Sequence, residues 1–285
     1  MKTIGVLNFK GGVGKTATAV NLAAAAYHAG RRVLLVDLEP QASATEHLTD
    51  EAFAKDASDV LEGGSSLRDA IYPVRGGEAS DEKSGARLDL LPGGDGLIGV
   101  EILLQSSGAK NRLAAALNKP RGSAVADDYD LVVIDSSPDI GLLSLNALYA
   151  ADVVLCPVKL ESPSIHGLKR LLEILERAEQ EDDHEPRLFL LPTVYDRRVK
   201  ESGEVLGALH EGFGEYSGKG KGDGKVLGPI RYSSALPRAF GLAQTVFEHD
   251  RRGRAAKDYR ALHETLASAM NSAKPIRKAS KRSGA

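Results

Sequence analysis

Short apolar runs rich in β-branched residues recur along the chain, separated by helix-like stretches. "TIGVLNF" (3–9), "RRVLLVDLE" (31–39), "YDLVVIDSSP" (129–138), "ADVVLCPVK" (151–159) and "PRLFLLPTVYD" (186–196) are the clearest. Continuous apolar runs, as opposed to alternating ones, belong to strands buried on both faces, as in a parallel sheet covered by helices. Between the first two, "TATAVNLAAAAYHAG" (16–30) reads as an alanine-rich helix stopped by Gly30. "SIHGLKRLLEILERAEQE" (164–181) reads as a helix after the fourth run, and "GRAAKDYRALHETLASAMN" (253–271) as a closing amphipathic helix. "VLGPI" (226–230) is a candidate sixth strand. The pattern predicts an α/β fold, a mostly parallel twisted sheet with helices on both faces.

Three stretches break this rhythm. Residues 73–87, "PVRGGEASDEKSGAR", are polar and glycine-bearing and read as a surface loop. Residues 214–225, "GEYSGKGKGDGK", read as a mobile glycine-lysine segment. From Lys274 onward, "KPIRKASKRSGA" is basic without an acidic residue and is expected to be disordered. With no repeat and no clear linker, residues 1–273 are expected to form one domain and 274–285 a tail.

Composition narrows the classes. At 285 residues the chain can bury a sizeable core. A net charge of -2 means that any nucleic-acid binding must come from a local patch. A single cysteine, Cys156, excludes internal disulfides and cysteine-built clusters. No apolar run reaches the roughly 18 residues of a membrane span, and Met1-Lys2 leads straight into the first strand with no room for a signal peptide. A cytoplasmic protein is expected.

The first strand runs into "NFKGGVGKT" (8–16), close to the phosphate-loop pattern G-x-x-x-x-G-K-[ST]. Gly14, Lys15 and Thr16 fit it, but Phe9 stands where the leading glycine belongs, and an extra lysine, Lys10, precedes Gly11-Gly12. A strand, a glycine turn and a helix start together make an anion site, because unpaired N–H groups and the helix dipole face the ligand. Gly11, Gly12 and Gly14 let the backbone wrap phosphates closely. Lys15 would reach the β- and γ-phosphates, and the Thr16 hydroxyl would ligate Mg²⁺. Asp37 and Asp135 each end an apolar strand and are placed to act on Mg²⁺ or water.

"KGGVGKT" resembles the deviant Walker A motif of the ParA/MinD group of P-loop ATPases. "VLLVDLEPQASAT" and "YDLVVIDSSPDIGLLSLNAL" are similar to that group's later segments, and "LPTVYDRR" and "ALPRAFGLAQTVFEHD" to its ParA (Soj-like) branch. The resemblance implies a P-loop NTPase fold and a DNA-partition ATPase. It implies that Lys10 is the signature lysine, which reaches across a homodimer to the ATP held by the other subunit, much as an arginine finger does. Lys10 to Ala17, Val13 included, then form the phosphate loop, although Ala17 stands where a second threonine is common. Asp135 matches the Walker B aspartate. Glu39 stands where the group usually has the aspartate that positions the attacking water. Its extra methylene shifts the carboxylate by roughly 1 Å, enough to slow hydrolysis up to about a hundredfold.

By the same resemblance Thr193 and Asp196 lie near the base or the dimer interface, and Arg231 stands where many relatives place a proline on the adenine. The branch binds double-stranded DNA nonspecifically as ATP dimers, and a ParB-type centromere-binding protein stimulates hydrolysis. The candidate DNA contacts are Arg197, Arg198, Lys200, Arg231, Arg238, Arg251, Arg252 and Lys257, with Arg254 and Arg260 nearby. A nucleoid-associated protein is expected, without membrane contact, since the tail offers only Ile276 as a bulky apolar residue. Other readings stay open: a ParA-like ATPase that positions a protein cluster or other non-DNA cargo, a MinD-like cell-division positioning ATPase, and an ATP-dependent DNA-binding dimer with vestigial hydrolysis.

Overall fold

Lys2–Val6 (β1) is an interior strand of its sheet, which explains why it is buried on both sides beyond Lys2. The computed structural model describes residues 1–76, 85–118, 125–161, 165–215 and 225–272. The other strands are Arg32–Leu38 (β2), Tyr72–Gly76 (β3), Arg87–Leu91 (β4), Leu131–Ser136 (β5), Val153–Lys159 (β6) and Arg187–Thr193 (β7). They form one sheet in the order β3-β4-β2-β5-β1-β6-β7. All recorded pairings are parallel except that of β3 with β4. The expected α/β fold with a mostly parallel sheet is therefore observed.

The helices are Lys15–His28 (α1), Ser43–Glu46 (α2), Ala57–Glu62 (α3), Gly96–Ser107 (α4), Arg112–Leu117 (α5), Leu142–Ala150 (α6), Ile165–Asp182 (α7), Lys200–Phe213 (α8), Ala235–Phe240 (α9), Val246–His249 (α10) and Arg254–Ser272 (α11). They cover both faces. On one face α1, α10 and α11 pack on Val33, Leu35, Leu131 and Val133. On the other, α3 to α8 pack on Leu34, Val36, Val132 and Ile134. Alternate residues of the same strand thus feed different cores, which is why β5 is buried at every position. Gly30, at φ 84°, ends the turn after α1 in a conformation that glycine adopts without strain.

Two expectations need correction. The stretch 73–87 is not simply a loop: its ends lie in β3 and β4, which pair antiparallel, while residues 77–84 lie outside the described residues. Pro73 hid β3, since proline is confined to edge strands and β3 is the edge. "VLGPI" is not a strand. It runs beside β7, with Leu190 N–H donating to Lys225 O and Leu227 N–H to Leu190 O at 2.8 Å each, but forms only isolated bridges. Most of 214–225 and the whole of 274–285 fall outside the described residues.

Candidate functional site

A parallel sheet brings the C-terminal ends of β1, β2 and β5 to one edge. Register pairs Val6 with Asp135, and Asp135 in turn with Asp37. The glycine loop leaves β1 at this edge and enters α1. Gly12 (φ 72°) and Gly14 (φ 90°) hold left-handed backbone that a residue with a Cβ would strain. Gly14 is the N-cap of α1, and neither a side-chain cap nor an acidic residue satisfies the first turn. The first N–H groups of α1 therefore face the loop with a partial positive charge.

Lys15 is buried, and its ammonium donates to the Lys10 carbonyl at 3.1 Å. Burial pulls its pKa down, while Asp135 and Glu39 pull it back up. The Lys10 ammonium donates to Glu161 Oε1 at 2.9 Å, and Lys159 holds the other oxygen of Glu161 at 2.7 Å. Thr193 Oγ1 donates to Val13 O at 2.9 Å, which ties the end of β7 to the loop.

The two aspartates differ in kind. Asp37 is fully buried but saturated: it accepts from Glu39 N at 3.0 Å and from Thr45 N and Oγ1 at 2.9 Å each. Its pKa rises to about 6, chiefly from burial, with these hydrogen bonds working against the rise. Asp135 is also fully buried, yet neither of its oxygens has a well-formed hydrogen bond. Burial first, then Asp37, holds its pKa well above the ordinary range; the Thr16 hydroxyl and Lys15 oppose the rise. A buried carboxylate with its lone pairs open, beside a threonine hydroxyl, suits a hard divalent cation shared with phosphate oxygens. Among the described residues no three His, Cys, Asp or Glu side chains could cage a metal by themselves. Of the expected metal residues, Thr16 and Asp135 fit best, and Asp37 stands behind them as a loop anchor.

Glu39 is half-buried at the end of β2, close enough to Asp37, Asp135 and Lys15 to influence all three. Asp196 and Arg231 lie further along the same edge, where Tyr195 and Arg231 form a bridge. Arg198 donates to Asp196 Oδ2 at 2.7 Å and holds its pKa down at about 2. Asp258 accepts from the Arg231 side chain on both oxygens. Lys200 pairs with Glu204 at 3.1 Å. Arg197, Arg238, Arg251, Arg252, Arg254, Lys257 and Arg260 are exposed. Sequence reasoning missed Thr45, Gly93 and Glu161. Thr45 Oγ1 accepts from Gly93 N at 3.0 Å, and a Cβ on Gly93 would lie 2.8 Å from Asp37 Cγ. "EPQASAT" and "LPGGDG" mark turns but do not signal this contact. Among the described residues, no helix is long and apolar enough to cross a membrane.

Comparison with known proteins agrees with this geometry. The AAA domain family matches residues 1–188. The chromosome-partitioning ATPase Soj of Thermus thermophilus is 34% identical over 268 residues, covering 93% of this chain and 95% of Soj. Apo McdA of Cyanothece superposes with a TM-score of 0.78 at 25% identity, over 93% of this chain and 99% of McdA. Cobyrinic acid a,c-diamide synthase of Mycobacterium smegmatis, solved with bound ADP and magnesium, superposes with a TM-score of 0.75 at 28% identity, over 96% of this chain and 97% of the synthase. The phosphate loop, the paired aspartates and this likeness along nearly the whole chain lead to one conclusion: the chain belongs to the AAA domain family, in its ParA/Soj group of P-loop ATPases.

Proposed function

We propose that this chain is an ATP-driven DNA-partition ATPase that works as a homodimer. The backbone of Gly11, Gly12, Val13, Gly14 and Ala17 and the Lys15 ammonium hold the triphosphate. Lys15 leaves the Lys10 carbonyl to do so, exchanging a neutral acceptor for an anionic one. Thr16 and Asp135 would hold Mg²⁺, with Asp37 fixing the neighbouring loop. Bound there, the ion would neutralise phosphate charge as it builds on the bridging oxygen. Lys10 leaves Glu161 and enters the nucleotide site of a second copy, so that ATP becomes the condition for dimerising. Glu39 orients the attacking water, slowly because of its longer reach. Thr193, Asp196 and Arg231 border the base end.

The dimer doubles an exposed basic surface that includes Arg197, Arg198, Arg238, Arg251, Arg252 and Lys257, and this supports nonspecific binding to nucleoid DNA in the cytoplasm. A ParB-type partner would stimulate hydrolysis and release the dimer. The observation that carries the reading is the buried, open carboxylate of Asp135, paired in register with Asp37 and next to the strand that bears the Lys15 loop. The test is DNA binding with ATP, ADP or a slowly hydrolysed analogue at several salt concentrations, alongside phosphate release. Binding with ATP and the analogue but not with ADP is expected. Equal binding in all three nucleotide states, or no phosphate release, would overturn it.

A further inference from the structure

Helix α4 and the turn that leads into it touch both acidic loops of the site, and neither contact was legible in the sequence. At its start, the turn of Pro92, Gly93 and Gly94 packs against Asp37 so closely that a Cβ on Gly93 would meet Asp37 Cγ and Glu39 O at 2.8 Å. In the second turn of the helix, Glu101 reaches to the N-terminus of α6. Its Oε1 accepts from Leu142 N at 2.6 Å and its Oε2 from Leu143 N at 2.9 Å. A carboxylate from another helix thus supplies the cap that α6 lacks in its own sequence, since the N-cap Gly141 offers no side chain. Gly141 leaves room for this fit: a Cβ there would lie 2.2 Å from Glu101 Oε1 and push the carboxylate aside.

What α6 carries makes the cap consequential. Residues 136–141 join Asp135 to α6, and α6 grips that loop from within. Ser144 Oγ donates to Asp139 O at 2.6 Å and lies 3.3 Å from Ser137 O. Ser136 Oγ donates to Val6 O at 2.9 Å, closing the chain back onto the strand that feeds the phosphate loop. Further along, Asn146 donates to Ala109 O at 3.0 Å, just beyond the end of α4, and accepts from Leu113 N of α5 at 3.1 Å. Helix α6 is therefore pinned at two levels, to α4 through Glu101 and to the α4–α5 connection and α5 through Asn146.

We propose that Glu101 is a positioning residue of the nucleotide site. It holds the Asp135–Gly141 loop in register with the Asp37–Glu39 loop by anchoring the N-terminus of α6 to the helix whose leading turn packs against Asp37. Glu101 touches neither nucleotide nor metal. It sets the distance between the carboxylate open to the metal and the carboxylate assigned to the water. A displacement of about 1 Å between such groups costs up to about a hundredfold in rate with little effect on ground-state binding. The inference rests on the ATPase reading for its catalytic consequence, while the anchor itself can be tested without turnover.

The experiment compares full-length wild type, Glu101→Gln and Gly141→Ala in two measurements. One is single-turnover hydrolysis of ATP with Mg²⁺, together with equilibrium binding of a fluorescent ATP analogue. The other is amide hydrogen exchange of residues 136–143. Glutamine keeps the shape but offers one acceptor oxygen in place of two, and alanine at 141 pushes the carboxylate away from the opposite side. Both variants should slow hydrolysis 10- to 100-fold while nucleotide affinity changes less than about threefold. Both should speed exchange of the Leu142 and Leu143 amides, and the double variant should be no slower than the worse single one. Wild-type exchange at 142–143 in Glu101→Gln, or equal losses in affinity and rate, would overturn the proposal. If wild type releases no phosphate, the ATPase reading fails, and the exchange data still decide whether Glu101 anchors the loop.

Discussion

Lys10 and Glu161 are joined within one protomer, ammonium to carboxylate, at 2.9 Å. The proposed mechanism sends the same lysine into another protomer, so dimerisation exchanges an internal ion pair for a contact to phosphate. Both side chains are partly exposed, at 25% and 32%, so the two pairs broken per dimer, at about 0.5 kcal/mol each, cost it only about 1 kcal/mol. Glu161→Gln should then promote ATP-dependent dimers at up to about fivefold lower protein concentration, by light scattering. Lys10→Ala should leave ATP binding intact and abolish those dimers. A dimer that survives Lys10→Ala would end the cross-interface role.

The carboxylate of Glu39 is assigned to the attacking water, and the assignment separates binding from chemistry. Glu39→Ala should lower single-turnover hydrolysis by about a hundredfold or more, with nucleotide affinity nearly unchanged. Glu39→Asp shortens the reach by one methylene and should raise turnover. If both variants hydrolyse ATP at the wild-type rate, Glu39 does not orient the water, and a different group beside Asp135 must.

Much of this site is legible because its chemistry is local. Gly11 to Thr16 are contiguous, and their spacing alone announces a phosphate loop. Asp37 and Asp135 announce themselves by ending apolar strands. What the sequence could not supply are contacts between distant segments. Asp37 ends its strand just as Asp135 does, yet its saturation by Thr45 appears only once the loop folds back. Strands β3 and β4 were obscured because Pro73 and the polar 77–86 stretch carry turn chemistry while the flanking residues pair. Glu101 looks like a surface charge on an apolar helix until α6 arrives beside it. Arg198 and Arg231 read as available cations, yet each is held by a carboxylate, Asp196 and Asp258.

That pairing makes a graded prediction for DNA. An arginine already neutralised by a neighbour releases fewer counterions on reaching a phosphate. Arg251→Glu with Arg252→Glu should therefore weaken DNA binding by the ATP form strongly and flatten its salt dependence by about two charges per protomer. Arg231→Ala should do less, because Asp258 already screens it. Fluorescence anisotropy from low to moderate salt distinguishes the two. A larger loss from Arg231→Ala would place the DNA at the Arg231–Asp258 pair and away from Arg251 and Arg252.

Acid should destabilise the fold through His47, which lies well outside the phosphate loop. The ring is 2% exposed, packs edge-on against Phe240, and donates from Nε2 to the Gln244 carbonyl at 3.0 Å, which fixes Nε2 as the protonated nitrogen. Its Nδ1 has no partner, so protonation there would create a buried donor without an acceptor. Burial lowers the pKa from 6.5 to about 4; the Gln244 carbonyl and Glu248 oppose the shift and Arg75 assists it. Between those two pH values the unfolded chain binds the proton and the folded chain refuses it, so stability falls as pH falls from 6.5 towards 4. The full loss is at most about 3 kcal/mol, or about 6 °C in melting temperature for a chain of this size. His47→Gln should start less stable at pH 7.5 and lose less on acidification to pH 4.5. Parallel melting curves for the two proteins across that range would show that other groups carry the acid sensitivity.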